Sequence, residues 1–229
     1  AVMENFFSDS EAALIKNEII NCFEPAKEGC YAITENGATS NGPDGEFPQG
    51  KNIRIMQTSY NQIPNVCSII FENYHVNKII SDYYSDNCNR FLQVFASWEN
   101  KMVEDDDLAR YSWLHSDPYA SLKFAFFPFG ASKKNGAPRV VPKSRSEGET
   151  IRKQFMSRGP KGIQGGVAHR MIDFKEQCPD LITRSEDEAI SVEVSPNDML
   201  ILDTDTYHAG GNILEPHQER IAVYIHNRP

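Results

Sequence analysis

The chain has 229 residues, with 23 Lys and Arg against 32 Asp and Glu and a formal net charge of −9. A chain of this size buries about 70% of its unfolded surface, enough for one sizeable closed core. The acidic balance argues against a general nucleic-acid binder, and no apolar run reaches the roughly 18 residues of a membrane span.

The first eleven residues have no basic lead and already contain Glu4, Asp9 and Glu11, unlike a secretory leader. Five widely spaced cysteines without a Cys-x-x-Cys pair, and the lack of any Asn-x-Ser/Thr sequon, point to reduced thiols in a cytoplasmic protein.

Ile15, Ile19 and Phe23 recur at helical spacing with Lys16, Asn17 and Glu18 between them, which predicts an amphipathic helix over 8–23 started by Ser8 or Ser10. Residues 36–50 hold four glycines and two prolines and read as a loop. A short strand is expected near 53–58, then a second helix over 68–84, so the first third is expected to be mainly helical. From Arg90 the pattern changes to short β-like runs at 91–98, 111–115, 121–129, 139–142, 189–194, 199–203 and 220–226, with one helix inserted over 148–156. This predicts a mainly β fold with flanking helices, its strands closed into a sandwich or jelly roll that hides the sheet edges. The whole chain reads as a single domain, with a helical part over about 1–88 and the jelly roll over about 89–229.

Charge is uneven: residues 133–161 carry nine Lys and Arg and two Glu, a local +7 against −16 elsewhere. Such a basic rim would attract an anionic small-molecule substrate.

Two histidines keep unusual company. In Trp113-Leu114-His115-Ser116-Asp117, a strand-like run places His115 and Asp117 two positions apart, on one side of an extended chain. A second strand, 199–203, runs on into His208 followed by Ala209, Gly210, Gly211 and Asn212. A barrel would bring His208 opposite the first pair, giving two imidazoles and a carboxylate on one face of a metal ion, the arrangement of non-haem Fe(II) oxygenases. Arg220, on the next strand, supplies the planar cation that a 2-oxoglutarate co-substrate needs for its distal carboxylate.

Together, His115-x-Asp117, His208-Ala-Gly-Gly-Asn212, Arg220 and the intervening Asn135-Gly136-Ala137-Pro138-Arg139 resemble the phytanoyl-CoA dioxygenase-like family of Fe(II)/2-oxoglutarate oxygenases over roughly 91–226. The resemblance implies a double-stranded β-helix (jelly-roll) core, Fe(II) held by His115, Asp117 and His208, 2-oxoglutarate anchored by Arg220, and O2 as oxidant. It also implies a role for Lys101, in the Asn100-Lys101 pair, in binding 2-oxoglutarate. This chain departs from the family at Pro142-Lys143-Ser144-Arg145 and at Gly210, where a hydroxyl is common, so Lys123 and Asn212 become candidates for part of the carboxylate clamp. Arg54, Gln57 and Arg139 are further candidates for substrate contact.

A carboxylate at Asp117 favours hydroxylation over halogenation, because related halogenases have a small residue there; desaturation and cyclisation use the same iron site and stay open beside hydroxylation. Two competing readings stand beside this one. A jelly roll could bind a metal or ligand without 2-oxoglutarate turnover, or a zinc hydrolase could use the same three residues, although no Glu or Asp flanks a ligand as such an enzyme would require.

Overall fold

The structure is a computed structural model of the chain and describes residues 1–25, 29–34, 37–40, 50–84, 91–100, 113–117, 119–157, 169–171 and 179–228. Two sheets face one another. The larger has eight strands in the order β1 (Val2–Met3), β11 (Met199–Asp203), β7 (Leu122–Phe126), β13 (Arg220–Arg228), β5 (Phe91–Glu99), β4 (Gly50–Ile55), β2 (Gly29–Thr34) and β3 (Gly37–Ser40). The smaller has five two-residue strands in the order β10 (Ile190–Ser191), β8 (Arg139–Val140), β12 (His208–Ala209), β6 (His115–Ser116) and β9 (His169–Arg170). Pairing is antiparallel throughout except between β2 and β4. This is the jelly-roll architecture expected from the strand pattern.

The strict alternation of β13 shows why the large sheet can carry both a core and a site. Ile221, Val223 and Ile225 point to one side and are fully buried, while Arg220, Tyr224 and His226 line a cavity on the other. Its neighbour β5 repeats the pattern, with Val94 and Ala96 in the core and Phe95, Ser97 and Glu99 at the cavity.

The apolar side of this sheet is covered by helices α1 (Asp9–Phe23), α2 (Pro64–Val66) and α3 (Tyr74–Tyr84), whose Ile15, Ile19, Phe23, Val66, Val76 and Ile80 join the same cluster. Ser8 starts α1 with a reciprocal cap. Its hydroxyl accepts from Glu11 N at 3.3 Å, and its own N–H donates to Glu11 Oε2 at 2.9 Å. Glu18, buried on α1, accepts from the backbone of Asn65 and Val66 at 2.8 Å each, which ties α1 to the start of α2. On the far side, α4 (Arg145–Ser157) covers the small sheet through Ile151, packed with Val141 and Tyr207.

The first third carries more strand beside its helices than its pattern suggests. Strands β2, β3 and β4 extend the large sheet within it, and β3 lies inside the expected glycine-rich loop. Their pairing explains the difference: β2 lies between β3 and β4, contacts that no local pattern announces, while β4, which overlaps the expected strand near 53–58, pairs with β5 at Ile53↔Ala96 and Ile55↔Val94. The second helix also begins later than its apolar residues suggest. A single wide turn over Cys67–Phe71 breaks at Glu72 and Asn73, and Asn73 then accepts the His75 and Val76 N–H groups at 2.9 and 3.2 Å to start α3. No helix among the described residues is long and apolar enough to cross a membrane.

Phe23 anchors the helical layer to the large sheet, with its ring set edge-on to Trp98 at 5.6 Å. Phe23→Ala is expected to lower the unfolding free energy by about 3–5 kcal/mol, measured as a drop in urea midpoint at unchanged slope.

Candidate metal centre and adjoining pocket

The small sheet assembles the centre from a single register. His208 of β12 lies directly opposite His115 of β6, and their rings sit 4.6 Å apart, centroid to centroid. Asp117, just beyond β6, places Oδ1 3.7 Å from each of the two Nε2 atoms. These three side chains are the one group among the described residues whose ligating atoms lie close enough, within 4.8 Å, to share a metal ion.

The two imidazoles are oriented in the same way. Nδ1–H of His115 donates to Trp113 O at 2.7 Å, and Nδ1–H of His208 donates to Thr206 O at 2.7 Å. A carbonyl can only accept, so each ring keeps its proton on Nδ1 and turns a bare Nε2 lone pair toward Asp117.

Lys123 of β7 points into this centre. Its ammonium lies 3.0 Å from His208 Nε2 and 3.2 Å from Asp117 Oδ2, a cation in contact with two of the three candidate ligands. Burial acts to raise the Asp117 pKa, but the charge of Lys123 outweighs it and holds the carboxyl well below its ordinary range. Burial pushes both histidines down, with Lys123 adding to the effect, so they stay neutral. Two neutral imidazoles and one carboxylate are the donor set that suits a ferrous ion with open positions.

Beside the centre lies a cavity of about 180 Å³ between the two sheets. Its floor is Arg220 on β13, which is 1% exposed. One amino group of Arg220 donates to the Glu99 carboxylate and the other to Gly136 O. Two glycines allow this approach. Gly136 has φ +91, and a Cβ there would lie 2.7 Å from the Arg220 guanidinium, while a Cβ on Gly211 would come within 2.2 Å of Ala137 O. The Asn135 side chain accepts the Ser132 N–H at 2.6 Å and donates to Glu219 O at 3.3 Å, fastening this loop to the residue before Arg220. The Asn135-Gly136 motif and the glycines after His208 thus belong to one packed junction.

The remaining candidates divide. Arg139 lines the cavity, but Asn212 does not. Arg54 and Gln57 are exposed, and Lys101 lies outside the described residues. Sequence reasoning missed Glu99, Ser97, Tyr224 and His226, all of which line the cavity. Counting in twos along β13 from Arg220 would have found Tyr224 and His226; nothing local marks Glu99.

Three cations of the basic stretch are answered by acids from elsewhere in the fold, while Arg158 and Lys161 lie outside the described residues. Arg152 grips Asp205 at two points, 2.6 and 2.8 Å; Arg145 pairs with Asp203; and Lys134 pairs with Glu215 at 3.3 Å. Arg152 is therefore a strut to the turn that carries His208 rather than a rim charge.

No protein-family model matches this chain, and no curated protein matches it in sequence. Solved structures do match in fold. EvdO2 from Micromonospora carbonacea var. aurantiaca, crystallised with 2-oxoglutarate, superposes with a TM-score of 0.56 at 14% identity, covering 100% of this chain and 86% of its own. HygX from Streptomyces hygroscopicus, with nickel and 2-oxoglutarate bound, gives 0.57 at 12% identity over 100% and 81%. SnoK, a non-haem α-ketoglutarate-dependent carbocyclase from nogalamycin biosynthesis, gives 0.61 at 11% identity over 99% and 78%. The chain shares the fold of these three proteins.

The depressed histidines also set a pH dependence. Between their ordinary value near 6.5 and the lower values in the fold, the unfolded chain binds protons that the folded one refuses. Stability is therefore present above about pH 6.5 and is lost as pH falls below it, with the Asp117 contribution lost further down. Urea unfolding of the metal-free protein from about pH 7.5 to about pH 5 should show this decline, and His208→Gln should flatten it.

Proposed function

We propose that this protein is an Fe(II)- and 2-oxoglutarate-dependent oxygenase of the phytanoyl-CoA dioxygenase-like kind, hydroxylating an unactivated C–H bond of a small molecule. The observation that carries the reading is the convergence of His115, Asp117 and His208 at one end of a cavity with the buried Arg220 in its floor. The fold likeness to oxygenases crystallised with 2-oxoglutarate supports it. A bound ferrous ion supplies the redox chemistry, coupling oxidative decarboxylation of 2-oxoglutarate by O2, with release of succinate and CO2, to hydroxylation of the substrate.

The chain's own residues do the rest. The carbonyls of Trp113 and Thr206 hold the two imidazoles in the ligating tautomer, and Asp117 completes a facial set with a negative charge. Arg220 offers the cation for the distal carboxylate of 2-oxoglutarate. Lys123 would have to move from beside His208 and Asp117 for these residues to hold a metal, and the ring of Tyr224, 5.6 Å from its ammonium, offers it a nearby face. Phe95, Leu200, Leu202 and Val140 keep the cavity wall apolar and exclude water from the reacting centre. Arg139, at the cavity, is the contact we assign to an anionic group on the substrate.

A second reading, a jelly roll that binds metal or ligand without turnover, draws on the internal pairing of Lys123 with Asp117 and of Arg220 with Glu99. Succinate formation separates the two. Anaerobic addition of Fe(II) and 2-oxoglutarate should produce a weak visible charge-transfer band, and admission of air should release succinate. His115→Ala should abolish both signals. Arg220→Ala should raise the 2-oxoglutarate concentration needed by at least about tenfold, as expected when a buried charge partner is lost. A protein that binds iron yet forms neither the band nor succinate is not this oxygenase.

A further inference from the structure

The floor of the cavity holds a carboxylate of the protein's own. Arg220 and Glu99 stand directly opposite one another in the β13–β5 register, both almost wholly buried, and the guanidinium donates to Glu99 Oε2. Ser97, two residues earlier on the same face, donates its hydroxyl to Glu99 Oε1 at 3.1 Å, so both carboxylate oxygens are held. On its other side Arg220 is bonded to Gly136 O, where the missing Cβ lets the loop close over it. The charge that would select a co-substrate by its distal carboxylate is thus already answered inside the protein. A second carboxylate brought to Arg220 would meet Glu99 at contact range, in surroundings where like charges repel strongly. The walls above the pair, Phe95, Ala125, Leu200 and Leu202, suit an uncharged chain.

We propose that Glu99 sets the co-substrate preference of the site, acting as an internal counter-carboxylate on Arg220. It weakens binding of the dicarboxylate 2-oxoglutarate and admits 2-oxo acids with short uncharged tails on comparable terms. This inference rests on the oxygenase reading, because it assumes that a 2-oxo acid binds at the metal end of the same cavity. Glu99 is a specificity residue and takes no part in the bond changes.

Calorimetric titration of the full chain loaded with Mn(II), using 2-oxoglutarate and 2-oxobutyrate as probes, tests it without turnover. In the wild type the two dissociation constants should lie within about threefold of each other. Glu99→Gln keeps a hydrogen-bonding partner for Arg220 while removing the negative charge. It should tighten 2-oxoglutarate by at least about tenfold and leave 2-oxobutyrate within about threefold. A wild type that prefers 2-oxoglutarate a hundredfold overturns the inference even where Glu99→Gln does not fold. So does a Glu99→Gln protein that binds 2-oxoglutarate more weakly or no better, which would make Glu99 a brace for Arg220. Either result leaves the oxygenase reading standing, whereas failure of both 2-oxo acids to bind the metal-loaded wild type overturns the two together.

Discussion

Everything at the candidate centre depends on one antiparallel pairing, His208 opposite His115, made by strands of only two residues each. Because side chains alternate across a strand, a slip of one residue would turn an imidazole away from Asp117. Strands this short cannot hold their own register. The bonds around them do so: Asp117 N–H donates to Thr204 O at 3.1 Å, Val141 N–H to Tyr207 O at 2.9 Å, and Tyr207 N–H to the buried Ser144 hydroxyl at 2.8 Å. The Thr204 hydroxyl in turn accepts from Ser121 N at 2.9 Å, which locks the residue after β11 to the start of β7, the strand that carries Lys123.

The large sheet meets a different demand. It must place Arg220, Glu99 and Lys123 in a nearly dry interior, where an unpaired charge is costly. Its solution is to send its apolar residues to the helical side and to pair each interior charge across the cavity face, Arg220 with Glu99 and Lys123 with Asp117. Those pairs add little net stability, since breaking solvation offsets most of their attraction. The value of the Arg220–Glu99 pair is positional, because it holds a long side chain in one place in the cavity floor.

How far the sequence foretold this depends on how local each signal was. The start of α1, the strands β5, β11 and β13, and the juxtaposition of His115 with Asp117 follow from periodicity and from an i, i+2 spacing, which are short-range features; that His208 joins them was expected only from the closure of a barrel and from the family resemblance. Of the strands in the first third only β4 was legible, near 53–58; β2 and β3 were not, because they are held by pairing with one another and with β4 rather than by any pattern of their own. Glu99 was invisible for a related reason. Its partner lies 121 residues away, and an acidic residue at the end of a strand looks like an ordinary surface charge until β13 is laid beside it. Lys123 looked as able to face outward as inward, a choice made by the pairing of β7 between β11 and β13.

The basic stretch gains a different meaning from the fold. Read along the chain, it is a cluster of cations suited to an anionic partner. In three dimensions Arg145 and Arg152 of α4 reach Asp203 and Asp205, the two acids that bracket the turn between β11 and His208. Gly148 makes the approach possible, since a Cβ there would collide with Asp205 O at 1.8 Å. Ile151, one position before Arg152, packs with Tyr207 immediately before His208. Helix and turn therefore form a single mount for the distal histidine. Part of the local excess of positive charge is thus matched by acids from another part of the sequence, and for those cations the pairs that cross between segments say more than net charge by segment.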